Sequence, residues 1–262
     1  MQHIGSHDCL DIGLSDMRTL LALSTSLALA AVGAMCFGCN ARAAKPIGSG
    51  THGSTCDYNP ALYKKGNTYK VISKLTYDGK KYTTQEVDSK VIGPAFFRGN
   101  RLIEVQERQI FNSDKSLQIE RFYRIGINYY YDYGSQGLDE IYFSPPIPVP
   151  EHFAINTPYE VKTVSHIVHK GAADTQVPSH TKRTFLVMDS IKTPAGTFSA
   201  CKIQSDTYKN GAKTASNYYW IVSSGRYAGL TIKTLIYMNT PAGLSASPEL
   251  REVAVSLKFN GK

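Results

Sequence analysis

The sequence predicts an all-β protein, an antiparallel barrel or strongly curved sheet of about ten to eleven strands. Three observations carry this expectation. Apolar and polar residues alternate with a period of two through most of the chain after residue 60, the pattern of strands with one buried face. Tight-turn dipeptides such as Asp78-Gly79 and Gly99-Asn100 interrupt that alternation at short spacing. The chain also has 17 tyrosines against one tryptophan, a bias toward strands, and no segment after residue 44 keeps a helical period over three turns.

The first 43 residues read as an address rather than as fold. Met17-Arg18 is followed by the uncharged apolar run Thr19 to Met35 and a small-residue exit, the plan of a bacterial secretory signal. Ala41-Arg42-Ala43 offers an ordinary cleavage site. Phe37-Gly38-Cys39 offers the end of a lipoprotein signal, with Cys39 as the acylated first residue. An uncleaved anchor is a third plan, since Thr19 to Gly38 has the length of a membrane span. Residues 1–16 carry Asp8, Asp11 and Asp16 without Lys or Arg, the wrong sign for a leader, so Met17 is the expected true start. Residues 44–59 are rich in Gly, Ser and Thr and read as a flexible tether. A single β domain is expected over 60–262.

Within that domain the alternation places Tyr69, Val71, Leu75 and Tyr77 on one face of a first strand, with Lys70 and Lys74 opposite. Tyr82 to Ile92 and Ile103 to Ile110 follow. Leu117, Ile119, Tyr123 and Ile125 then share a face. Asn128 to Tyr133 and Glu140 to Phe143 flank a Gly-rich break. Ser144 to Pro158 holds five of the chain's 12 prolines and is expected to be a non-strand crossover, rim or docking strip, because proline lacks the N–H a central strand needs. Strands are expected again near 159–169, 183–191, 197–208, 215–222, 228–238 and 251–259. In the last, Val253, Val255, Leu257 and Phe259 oppose Glu252, Ser256 and Lys258.

Composition excludes several function classes. The formal charge is +8, but Lys and Arg are spread along alternating faces without a dense run, which with the export signal argues against nucleic acid. A basic surface facing anionic headgroups or acidic polysaccharide suits an exported protein better. No G-x-S-x-G, P-loop, H-E-x-x-H or usable C-x-x-C motif occurs. His166 and His169 are three apart, which in a strand points them to opposite faces, so no metal site and no cofactor is expected. No catalytic residue is assigned. Cys56 and Cys201 remain after processing and are candidates for a disulfide in an oxidising compartment.

Four segments carry a resemblance: Gly66-Asn67-Thr68-Tyr69; Gly79-Lys80-Lys81-Tyr82; Thr193-Pro194-Ala195-Gly196-Thr197-Phe198; and Tyr218-Tyr219-Trp220 followed by Gly225 to Lys233. Together they resemble a broad group of exported or lipid-anchored bacterial envelope proteins of unknown function with a P-A-G-T-F turn. The resemblance implies a half-open barrel similar in shape to periplasmic lipoprotein carriers of the LolA/LolB type, and it implies no catalytic residues. Val222 to Tyr227 departs from that group's pattern. The turn itself has a local reading, since Pro194 presets φ and Gly196 supplies a conformation other residues resist.

The expected function is therefore a non-catalytic envelope protein holding an apolar or amphipathic ligand, such as a lipid or acyl chain, in its concavity. Tyr129, Tyr131, Tyr133, Trp220 and Tyr227 are the candidate rim residues. The alternative is an envelope structural or interaction lipoprotein, which meets another protein through Tyr129 to Tyr133 and the proline segment.

Overall fold

The computed structural model describes residues 59–77, 80–111, 115–126, 129–150, 154–170, 172–240 and 243–261. The leader, the tether up to residue 58, Cys39 and Cys56 lie outside the described residues. A short 3-10 helix, Pro60–Tyr63, precedes β1 (Thr68–Tyr77), β2 (Lys80–Phe97), β3 (Asn100–Phe111), β4 (Lys115–Ile125) and β5 (Tyr129–Gln136). Then come β6 (Asp139–Pro150), β7 (Pro158–His169), β8 (Thr175–Thr193), β9 (Gly196–Lys209) and β10 (Ala212–Val222). The last are β11 (Thr231–Thr240), β12 (Gly243–Leu244) and β13 (Leu250–Asn260).

All-β, antiparallel order is as expected, but openness and strand number are not. Strands β1 to β10 form a continuous meander, β10 pairs with β11, β11 with β13, and β13 returns to β1, so 12 strands close a ring while β12 adds only to β11. The closing ladder runs from Thr68 opposite Asn260 to Tyr77 opposite Leu250. Local alternation marks the strands; it carries no information about whether the first and last meet.

The proline segment corrects a second expectation. Residues 145–150 continue β6, with Tyr131 opposite Pro148 and Tyr129 opposite Pro150 on β5. The ladder between β6 and β7 stops at Ser144 opposite Val164, so this half of β6 is an edge on its other side. Pro146, Pro148 and Pro150 are two apart, which puts their missing N–H groups along one edge, and an edge strand tolerates that. Side chains of β7 bridge the seam: the Tyr159 hydroxyl donates to the Pro148 carbonyl, and Thr163 Oγ1 donates to that of Pro145 at 2.8 Å.

A bulge corrects a third. Ile72 pairs with Ser256 but Ser73 with Ala254, leaving Val255 as the extra residue of β13. Alternation therefore changes phase there: Glu252 and Ala254 are buried, as are Leu257 and Phe259, while Val253 and Val255 are not.

The lumen is divided along its length. Toward the start of β1 it is apolar, with Tyr69, Val71, Val105, Tyr123, Tyr130 and Val149 in one cluster. The 3-10 helix caps this end. Leu62 is buried, the Tyr63 ring stands 5.1 Å from that of Tyr123 and 5.2 Å from that of Tyr130, and Asn59 Nδ2 donates to the Ala228 carbonyl at 2.7 Å. The β8–β9 turn carries the P-A-G-T-F motif at the same end. Thr193 Oγ1 accepts from the Ala195 N–H there, and Phe198 meets Tyr227 edge-on.

Outside the ring, the β2–β3 hairpin bends at the bulge between Val91 and Gly93. Its tip crosses the outer face as far as β6. Phe97 stacks on Phe122 of β4 at 4.2 Å, and Arg98 pairs with Glu140 and lies 4.1 Å above the Tyr142 ring. Phe97, Leu102 and Phe122 are consequently buried on the outside of a barrel.

Two glycines separate backbone freedom from space. Gly134 (φ +127°) and Gly211 (φ +79°) both occupy the left-handed half of the map, yet a Cβ at Gly134 would lie 2.0 Å from the Ile141 carbonyl oxygen and one at Gly211 would meet nothing. Gly211→Ala should cost roughly 1–2 kcal/mol from φ alone. Gly134→Ala should cost clearly more, about 3 kcal/mol or above, because the β5–β6 ladder must part. Urea unfolding of the two variants checks this, and equal losses would contradict it.

Candidate functional site

The lumen away from the capped end is polar. Cross-strand register carries inward residues around the ring: Ser73, Gln85 and Ser89, then Glu107 and Gln109, Arg121, Asp132, Thr181 and Arg183, Asn217, Thr234 and Glu252, all buried. Glu107 and Arg121 sit on neighbouring strands, and Arg121 Nε donates to Glu107 Oε2 at 2.7 Å, with both side chains sealed from water. Asp132 Oδ1 accepts the Gly134 N–H at 2.9 Å. Several atoms in this half make no hydrogen bond to any described residue: Gln85 Nε2, Glu107 Oε1, Gln109 Oε1, Arg121 Nη2 and Arg183 Nη2.

Burial sets the charge states. It pushes the Asp132 carboxyl up to about 7, against the opposing pull of Arg121 and of the Gly134 N–H. Burial also raises Glu252, partly offset by Ser73 and Thr234. For Arg121 burial acts the other way, yet Glu107 and the neighbouring acidic groups override it and hold the guanidinium charged. The arrangement is three acids and two guanidiniums behind a closed wall. Among the described residues no group of His, Cys, Asp and Glu is placed to hold a metal.

The rim residues expected from sequence do not line this space. Tyr130 and Asp132 point inward, so Tyr129, Tyr131 and Tyr133 lie on the outer face of β5. The rings of Tyr129 and Tyr131 are 6.4 Å apart and half-buried, with Pro150 and Pro148 opposite them. Tyr133 lies under Arg124 at 4.9 Å. Trp220 is buried on the outer side of β10, where Nε1 donates to Asp189 Oδ2 at 3.0 Å and the Lys233 ammonium stands 4.2 Å from the ring. Tyr227 packs in the capping loop. Cys201 is fully buried beside Met188, and no second cysteine lies among the described residues.

What sequence reading missed was the polar lumen. A signal existed: Arg121 falls in the row Leu117, Ile119, Tyr123, Ile125, a charge on an otherwise apolar face. Glu107 interrupts its own row after Val105 in the same way.

The outer surface is charged. Lys70 pairs with Glu86 at 2.6 Å and Asp88 at 3.0 Å, and Lys213 pairs with Asp206 at 2.9 Å.

No protein-family model matches the sequence, and neither does any curated protein. Two solved structures are similar. One is a "putative exported protein with YMCC-like fold" from Bacteroides fragilis, at 10% identity and a TM-score of 0.47, covering 79% of this chain and 100% of that one. The other is a "putative lipoprotein" from Parabacteroides distasonis, at 15% identity and a TM-score of 0.44, covering 79% and 99%.

The buried pair makes a two-part prediction. Glu107→Gln alone should cost about 3–5 kcal/mol by stranding the Arg121 charge, whereas Glu107→Leu with Arg121→Met should be near neutral or stabilising. Equilibrium unfolding decides it. Asp132 makes a pH prediction. Its folded pKa lies above the unfolded value of about 4, so its contribution to stability is complete below pH 4 and is lost as pH rises through 7. Asp132→Asn keeps an acceptor for Gly134 and should therefore flatten the decline between pH 4 and 8. Parallel slopes for the two proteins would refute the assignment.

Proposed function

We propose that this chain is an exported, non-catalytic protein of the bacterial cell envelope that works by surface contact with another envelope protein. The barrel serves as a rigid support. The observation that carries the reading is the filled lumen. Its apolar half is occupied by the protein's own tyrosine, valine and 3-10 helix side chains, and its other half holds buried charges that an acyl chain would strand. An apolar ligand in the concavity, the function expected from sequence, has no comparable support.

On the outside, Tyr129, Tyr131 and Pro148 form a half-exposed strip beside a proline-blunted strand edge, the residue chemistry of a protein contact. Export rests on the N-terminal signal pattern. Acylation at Cys39, membrane attachment through that lipid, and pairing of Cys56 with the buried Cys201 belong to the same reading.

Native mass spectrometry of protein purified gently from its host envelope tests the first part. The expected species is a processed chain without a noncovalent lipid adduct. A reproducible lipid-sized adduct would overturn the proposal, while the covalent mass distinguishes a start at an acylated Cys39 from one at Ala44. A photo-crosslinking residue at Tyr131 should give one dominant protein adduct in cells, reduced at least tenfold by Tyr129→Ala. Adducts equal to those from position 162 on β7 would speak against the strip.

A further inference from the structure

A second surface lies on the outer face of β13, β1, β2, β3 and β4, and it carries a cavity of about 420 Å³. Register explains its chemistry. One cross-strand row reads Lys258, Lys70, Asp88, Arg108 and Gln118, and the next reads Asn260, Thr68, Lys90, Gln106 and, at its far end on β4, Glu120. Neighbouring strands are about 4.8 Å apart, so each row crosses the barrel wall for roughly 15–20 Å. Lys70, Lys90, Arg108 and Lys258 line the cavity. Lys70 is held by Glu86 and Asp88 and Gln106 by Glu104, while Glu107 beneath faces the lumen and is taken by Arg121, which leaves three cations to a ligand. Lys90, Arg108 and Lys258 are exposed, and no carboxylate among the described residues forms an ion pair with them.

From this we infer that the groove binds an anionic polysaccharide chain. Three features select that class among polyanions. The site is concave, so a single chain reaches its floor where a flat bilayer surface does not. Gln118 and Asn260 supply amides for sugar hydroxyls, and Gln106, whose Nε2 donates to Glu104 at 2.8 Å, offers its carbonyl oxygen. None of the large exposed apolar side chains, such as Phe96 or Leu138, borders the groove, and interfacial membrane binding needs such groups to insert. Export, indicated by the leader pattern, puts the protein where acidic glycans rather than nucleic acids are the polyanions. The groove uses other strands than the Tyr129–Tyr131 strip, so it stands or falls independently of that contact.

Polygalacturonate is the probe, with neutral dextran and vesicles containing phosphatidylglycerol as comparisons, and binding is followed by calorimetry at two salt concentrations. The full chain should bind polygalacturonate, with affinity falling as salt rises, and should ignore dextran. Lys90→Glu with Lys258→Glu should weaken binding at least tenfold at 150 mM salt. Lys192→Glu with Lys209→Glu makes the same charge change on the exposed β8–β9 hairpin and should stay within twofold. Should the first variant fold poorly, Lys90→Gln with Lys258→Gln is expected to lose at least threefold with an unchanged thermal midpoint. Equal losses in both charge-reversed proteins would overturn the site in favour of diffuse attraction. Binding to vesicles but not to polygalacturonate would overturn it in favour of a membrane contact.

Discussion

Pairing of β1 with β13 is the constraint on which the rest of the molecule depends. It joins the two ends of the described domain along ten consecutive residues of β1 and converts a meander into a ring with no free long edge. A closed ring removes the unpaired N–H and C=O groups that would otherwise template association. The entropic cost of bringing distant segments together rises only slowly with their separation, so joining the ends costs little more than closing a shorter loop. Closure also creates an inside. Glu107, Arg121, Asp132 and Glu252 are buried only because the wall is complete, and their charge states follow from that burial.

Two local irregularities make closure compatible with the sequence. The bulge between β1 and β13 lets Glu252 and Phe259 both face inward although their spacing is odd. The seam between the proline half of β6 and β7 is held by two side-chain hydroxyls instead of a ladder, which lets prolines stand in a barrel wall without orphaned donors. Both devices sit where strict alternation would have failed.

A barrel closed and filled in this way presents only its outer wall to other molecules. The apolar half is capped by the 3-10 helix Pro60–Tyr63, with Asn59 tied to the Ala228 carbonyl. The outer wall then divides into regions of different character: a hairpin folded over its own aromatic cluster, a tyrosine and proline strip, and a basic groove. The first is internal packing, since Phe97, Leu102 and Phe122 are already covered. The other two remain available to partners.

Much of this was legible in the sequence. Strand positions, the hairpin turns at Gly99 and Gly196, the burial of Cys201 beside Ile203 and the overall antiparallel class follow from side-chain period and turn chemistry, which are properties of neighbouring residues. Arg121 within an apolar row was visible too, as a charge that some buried partner had to satisfy. The partner, Glu107, lies on another strand, and no local pattern names it. The same limit accounts for the rest. Whether the sheet closes, which face of β5 looks inward, and which cations gather in one groove depend on register between strands, and register is decided by the shared packing of all 12 around a single lumen. Sequence alone determined that this chain would make antiparallel strands; the tertiary structure alone decided that they close into a ring and enclose buried charge, because pairing and burial depend on residues far apart in the chain.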